Sequence, residues 1–498
     1  MTPWGRVRLL AGGVVTAWAL WNAAAVYLLF AGGKQHRLET ALLILVAAAV
    51  LVELLARAAR APAPPVATPE VDATTRRTLV GLALALWGAN AIAAAGVPFL
   101  SDDYVLLARY QDSAAHAPQQ FFRPVFGVVF WALSAVGGES TWPFRLVAAA
   151  LHVGSSFLVS RLTGRITGSQ TAATLGFVVF LLNPLQAEAV VWIAGLQETL
   201  WTFLALSALT VHGRDDVRPA LRLGAVAVLC GLAFGAKETA ACLLLLLPAH
   251  DIVTRRPVDR LRLAAYAIVA VEFAVYLALR SRYLALESGV LGMPTRYAIK
   301  QFLVLPYQFY AQPWSTAAIA MPAIVSFATA ALGIAGLAWT LIGRRHWRTP
   351  IAGAFVILAS TLPLTAYFFV RDDLAGARYL YFGAFGWGLL VAAAAAAALR
   401  SARAVAAATG VTAALLAAAL HVNLGPWRQA AAIVDGMEQA ATRGEDAEMA
   451  AVGAAARLGV TLTTRDGIPR EAGGVGLFVN GYPEFLARVR ARASSASP

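Results

Sequence analysis

The chain is 498 residues long, with 40 Lys+Arg against 27 Asp+Glu, a formal net charge of +13, 59% hydrophobic residues and only 13% charged ones. An ordinary soluble domain is about 25% charged, and no soluble fold of this size could cover its core with so few charges. A soluble enzyme, a disordered chain and a fibrous protein are thereby excluded. A multi-spanning membrane protein remains, and its apolar blocks are read as helices because lipid cannot satisfy open backbone groups. The two cysteines, Cys230 and Cys242, fall in apolar stretches and form neither a disulfide framework nor a metal-ligand pattern. The basic excess is spread over short loops, which fits membrane topology better than a nucleic-acid surface.

Apolar windows predict spans near 9–30, 39–56, 78–97, 142–162, 170–185, 190–211, 219–236, 238–250, 261–280, 318–342, 350–370, 379–399 and 404–423, about 13 in all at about 20 residues each. The first follows Arg6 and Arg8 and is longer than a signal-peptide core, so it reads as a retained anchor. Residues 1–60 form an N-terminal hairpin, 61–77 a Pro-rich cytoplasmic linker, 78–424 the transmembrane core and 425–498 a small extracytoplasmic domain. Within that last piece, 426–458 reads as one amphipathic helix and 459–498 as a small mixed segment. The stretches 98–141 and 298–312 read as interfacial or re-entrant helices, because counting either as a span breaks the charge alternation. Alternate loops carry Arg57/Arg60/Arg76/Arg77, Arg161/Arg165, Arg214/Arg218, Arg255/Arg256/Arg260, Arg344/Arg345/Arg348 and Arg400/Arg403. The positive-inside rule makes these loops cytoplasmic.

Five polar clusters then fall on the outer face, where ionisable groups beside lipid are costly and commonly functional. They are Asp102-Asp103, Arg123-Pro124, the segment from Asn183 to Leu200 with Glu188 and Glu198, Lys237-Glu238, and Arg371, Asp372, Asp373 and Arg378 ahead of Tyr379 and Tyr381. Each also has a structural reading: a solvated helix end, a turn, an interhelical hydrogen bond, a self-neutralising pair or an interfacial aromatic belt. Glu198 is expected a turn or more inside an apolar run. Outer-face carboxylates beside outer-face cations suit displacement at the anomeric carbon of a lipid-phosphate sugar. A carboxylate takes the acceptor's proton, and Lys or Arg holds the phosphate charge that develops. The phosphate leaves as a weak base, so the carboxylic acid of an ordinary glycosidase is not required.

On these residues the chain resembles the C-type glycosyltransferase superfamily, and within it the tetratricopeptide-repeat membrane O-mannosyltransferases and their bacterial relatives. The resemblance rests on Asp102-Asp103, Arg123-Pro124, Leu151-His152, Asn183-Pro184 with Glu188-Ala189-Val190, Lys237-Glu238 and Arg378-Tyr379-Leu380-Tyr381, in order over roughly 98–385. The chain departs from the family at Asn183, where His is common, and at Gly195-Leu196-Gln197-Glu198, where a Gly-Arg-Ala-Asp run is common. No tetratricopeptide array is visible in the residues after 424.

The resemblance implies an all-α, multi-spanning membrane enzyme of the plasma or inner membrane. It implies a polyprenyl-phosphate-linked sugar donor, an extracytoplasmic glycan, lipid or protein acceptor, and inversion. Asp102 is the expected base with Asp103 assisting, and Arg123, Lys237 and Arg378 are the expected phosphate ligands. Glu188, Glu198 and Tyr379 are expected to orient the acceptor or hold a divalent metal, magnesium or manganese, which some members of the superfamily use. Two other readings stand beside this one. A lipid-linked polysaccharide ligase or polymerase should carry a large outer loop rich in His and Arg. A transporter or flippase should carry repeated halves and charges near mid-membrane.

Overall fold

The computed structural model describes residues 69–111, 122–283, 348–361 and 374–496. The expected N-terminal hairpin, most of the linker, the aromatic stretch 298–312, the span 318–342 and Arg371 to Asp373 lie outside them. The described chain is mostly helical, with one small sheet near its C-terminal end.

Helix α1 (Ala73–Ala93) begins inside the expected linker, because the Asp72 carboxylate accepts from the N–H groups of Thr74 and Thr75 at 3.0 Å. Ahead of it, Glu70 accepts from the backbone of Gln170 and Thr171 at 3.2 and 3.3 Å, fastening the chain to the first turn of the helix that begins at Gln170. The 98–141 stretch contains α2 (Asp102–Gln111) and α3 (Pro124–Gly137). At 1.5 Å per residue the longer of these reaches only about 21 Å, short of the ~30 Å hydrocarbon core.

Helix α4 (Trp142–Thr167) is followed by α5 (Gln170–Leu181), which the Ser169 hydroxyl caps. Beyond Leu181 the chain bends by 41° into a 3-10 turn, Pro184–Gln186, and the short α6 (Ala187–Val190). A second 3-10 turn, Ile193–Gly195, leads into α7 (Leu196–His212). The span expected from 190 therefore starts six residues later. A Cβ on Gly195 would lie 2.4 Å from the Glu188 carbonyl oxygen, so the chain doubles back there on a backbone contact that only glycine allows.

Helix α8 (Pro219–Ala236) ends at Lys237, and a 3-10 turn, Glu238–Cys242, precedes α9 (Leu243–Val253) and α10 (Arg260–Tyr283). Then come α11 (Arg348–Thr361), a 3-10 turn, Ala377–Leu380, α12 (Ala384–Ala398) and α13 (Ala402–Asn423).

Among the described residues, four helices are long and apolar enough to cross a membrane: α4, α8, Arg260–Arg280 and the run Ala402–Thr442; the bent α5–α6 pair makes a fifth if it counts as one span. Helix α4 packs on α5 and α7, α7 on α8, α8 on α10, α5 on α12, α12 on α11 and α13 on α1. Helices α11 and α12 meet backbone to backbone, since a Cβ on Gly386 would lie 2.4 Å from the Gly353 carbonyl oxygen. Small residues permit such approach between helices in lipid. Large apolar side chains point outward, among them Trp131 on α3, Leu146 on α4, Val228 on α8, Val271 on α10 and Val411 on α13. On a body of apolar helices these are lipid-facing positions.

Helix α14 (Gly425–Thr442) continues the line of α13. The run of 41 residues is about 60 Å long, twice the hydrocarbon thickness, so α14 projects beyond it. The single helix expected over 426–458 is two. Gly444 takes φ +73°, and the Asp446 side chain caps α15 (Ala447–Leu458) through the Met449 N–H at 2.9 Å. A three-stranded antiparallel sheet follows, with β1 (Leu462–Arg465), β2 (Ile468–Ala472) and β3 (Val475–Gly476) in sequence order and a register shift at Thr463/Thr464. Helix α16 (Tyr482–Ala496) closes the unit. Its Phe478, Phe485 and Ile433 join Leu100, Tyr104 and Phe144 of the helical body in one continuous apolar core.

Candidate active site

Helix α7 separates two polar regions. At its far end His212 bonds the buried Asp251 at 2.7 Å, and Asp215 gathers Arg222, Arg256 and Arg262 at 2.6, 2.6 and 2.9 Å. At its near end, ~25 Å away along 17 residues, lie Glu198 and the other expected site residues.

At the near end a cavity of about 300 Å³ opens between the helical body and the C-terminal unit. The body contributes Asp102, Glu188, Trp192, Arg378 and Tyr379, and the C-terminal unit contributes Trp427, Glu471 and Val479 among others.

The two aspartates occupy different environments. Asp103 is buried, and its carboxylate accepts from the backbone of Leu100 at 2.9 Å and of Ala194 at 2.7 Å. Burial pushes this carboxyl up, and the two N–H donors only partly oppose that. Asp103 thus ties the start of α2 to the turn before α7. Asp102 faces the cavity, with one oxygen accepting from Asn480 Nδ2 at 2.7 Å.

Arg378 sits in the 3-10 turn before α12, so its backbone and side chain both reach the cavity. Its backbone N–H donates to Glu188 Oε2 at 2.9 Å and its guanidinium pairs with Glu188 Oε1. The guanidinium lies over the rings of Trp192 and Tyr379, 4.9 and 4.6 Å from their centroids, and donates to the Tyr379 hydroxyl at 3.1 Å. Against the Tyr379 ring lies Lys237 Nζ, 5.2 Å from its centroid. Lys237 is 2% exposed and pairs with Glu198, which is 1% exposed and also accepts from Trp201 Nε1 at 2.7 Å. Arg123 clasps the Glu238 carboxylate with two donors, the Nε bond measuring 2.9 Å, and donates to Gln197 Oε1.

Asp102, Glu188, Arg378 and Tyr379 therefore share the cavity, whereas Lys237, Glu198 and Arg123 lie behind it in neutralising pairs. Glu198 is in the first turn of α7, not deeper in an apolar run, because the helix starts at Leu196. Each of Glu188 and Glu198 faces a cation, and among the described residues no three His, Cys, Asp or Glu side chains gather in one place. His152 is a tertiary tie, its ring nitrogens bonding the Tyr381 hydroxyl at 2.6 Å and the Leu181 carbonyl at 3.0 Å. Trp192, Trp427, Glu471 and Asn480 were not read from the sequence as site residues. Only the Asn480-Gly481 pair carries a local signal, that of a turn.

No protein-family model matches the chain. A Drosophila melanogaster protein, Protein O-mannosyl-transferase Tmtc2, is 29% identical to it over 168 residues, which is 32% of this chain and 18% of the relative. The match thus spans under a fifth of that relative's length. Among solved structures, ArnT from Cupriavidus metallidurans bound to undecaprenyl phosphate aligns over 84% of this chain and 77% of its own, at 16% identity and a TM-score of 0.40.

Proposed function

We propose that the chain is a C-type membrane glycosyltransferase that moves a sugar from a polyprenyl-phosphate donor to an extracytoplasmic acceptor with inversion. The observation that carries this is the pairing of Asp102 and Arg378 on one cavity at the end of the helical body away from the arginine cluster. The ordered motifs around these residues and the stretch of similarity to an O-mannosyl-transferase support it.

In this reading Asp102 accepts the proton of an acceptor hydroxyl. The freed oxygen attacks the anomeric carbon from the face opposite the phosphate, the bond from that carbon to the phosphate oxygen breaks, and the phosphate departs with the electron pair. Arg378, held by Glu188 and stacked on two aromatic rings, meets the charge that develops on the phosphate. Preorganised charge of this kind lowers the barrier without moving at the moment of reaction. Trp192 and Tyr379 offer flat apolar faces for a sugar ring. Lys237 and Arg123 act from behind, holding Tyr379 and the 3-10 turn after α8 in place. Among the described residues, Arg378 is the one cation that lines the cavity, which suits one phosphate better than the diphosphate donor of a polysaccharide ligase.

The test is Asp102→Asn, which keeps the shape and removes the basic charge. Transfer from a labelled polyprenyl-phosphate sugar to membrane extract is expected to fall by about 10²–10⁴-fold, with donor binding retained. Arg378→Ala is expected to weaken donor binding chiefly, through loss of a charge-assisted contact. Undiminished transfer in Asp102→Asn and in the Asp102/Asp103 double Asn variant would overturn the mechanism.

A further inference from the structure

The turn that carries Asp102 is gripped at several points by a segment nearly four hundred residues away in the chain. The Ser101 N–H donates to the Leu477 carbonyl at 2.7 Å, and the Asn480 N–H donates to the Ser101 hydroxyl at 3.4 Å. Asn480 Nδ2 donates to Asp102 Oδ1 at 2.7 Å. Gly481, at φ +82°, sits so close that a Cβ there would lie 2.5 Å from the Ser101 carbonyl oxygen. Two residues into α2, Tyr104 packs on the rings of Phe478 and Phe485, with centroids 5.9 and 5.4 Å away. Ser101 itself takes φ +50°, a left-handed conformation that a side-chain-bearing residue holds only when its surroundings impose it. Here those surroundings are the 477–481 segment.

We infer that Asn480 is a positioning residue for the reaction proposed above, and that the C-terminal unit is thereby part of the catalytic site. By donating to one oxygen of Asp102, the amide fixes the carboxylate's orientation and leaves the other oxygen directed to the acceptor. The other charged groups around Asp102 are Asp103 beside it on α2, Glu188 and Arg378 across the cavity, Glu471 from β2, and Arg470, which binds the Phe478 and Val479 carbonyls at 3.1 and 2.5 Å. Asn480 is the neutral group bonded to Asp102 itself. The inference rests on Asp102 as the base, and its test separates the failure of one from the failure of the other.

Transfer kinetics with a labelled polyprenyl-phosphate sugar, measured on the full chain, test this. In Asn480→Ala kcat is expected to fall about tenfold with the donor KM near the parent's, the equivalent of one lost hydrogen bond. Asn480→Ser keeps a donor and should regain part of that loss. In an Asp102→Asn background, Asn480→Ala should add no further loss, whereas a general loosening of the unit would lower both backgrounds alike. Undiminished kcat in Asn480→Ala, or an equal further loss in the Asp102→Asn background, would overturn the inference while transfer in Asp102→Asn stays low. Full transfer in Asp102→Asn would instead remove the base assignment.

Discussion

Asp102 and Asp103 are adjacent in sequence and differ in what a mutation can reach. Asp103 spends both oxygens on backbone N–H groups. Asp103→Asn places an amide NH₂ against one of those donors, and an unsatisfied buried donor costs about 1–3 kcal/mol. That variant should melt lower in detergent, whereas Asp102→Asn should melt near the parent. The same distinction governs Lys237. A buried ion pair broken on one side loses about 3–5 kcal/mol, so Lys237→Ala should be strongly destabilised. The double variant Lys237→Met with Glu198→Leu should regain most of that melting temperature, since well-packed apolar residues commonly replace such a pair at little cost. A double variant no more stable than Lys237→Ala would show that the pair holds more than its own charge.

Among the elements, the α11–α12 contact is the most sensitive to bulk. A methyl group at Gly386 has no room against the Gly353 carbonyl or the Ile357 side chain, 2.6 Å from its position. Gly386→Ala should cost about 1–3 kcal/mol, as overpacking of a tight interior does. It should also disturb the preceding 3-10 turn that presents Arg378. Gly224 on α8 has nothing within 4 Å of a built Cβ, so Gly224→Ala should leave the protein as stable or raise it by up to about 1 kcal/mol through helix propensity. Thermal unfolding of the two variants side by side checks both. A Gly386→Ala protein that melts with the parent would mean that α11 and α12 separate more easily than their backbone contact suggests.

At the scale of the whole molecule, the site and the arginine cluster occupy opposite ends of the same helices. The proposed extracytoplasmic site requires the arginine cluster to be cytoplasmic and the cavity to be outside. Cys230 and Cys242 are 0% and 1% exposed, so introduced cysteines can be read against a silent background. Val479→Cys, on the cavity rim and 44% exposed, should react with an impermeant maleimide on intact cells. Asp216→Cys, beside the arginine cluster and with a side chain 65% exposed, should react only after the membrane is opened. Reversed labelling would move the cavity to the cytoplasmic side and end the proposal of an extracytoplasmic acceptor.

The sequence by itself determined the helical membrane body, because an apolar composition with few charges leaves the backbone no other way to satisfy its hydrogen bonds in lipid. It also singled out Asp102, Glu188, Arg378 and Tyr379, since polar residues bordering apolar runs stand out by their cost. The tertiary structure alone decided which of the ionisable residues face open space and which are consumed by one another. Lys237 and Glu198 are separated by 38 residues of chain, and nothing in either local pattern shows that the break after α8 and the first turn of α7 bring them into contact. It alone decided where the apolar runs break, because the turn at Gly195 depends on a carbonyl seven residues earlier folding back onto it. And it alone joined Asn480 to Asp102, a contact 378 residues apart in the chain. Periodicity and charge alternation act over one or two helical turns, whereas a cavity wall is built by whichever distant segments the packed helices bring to the same end.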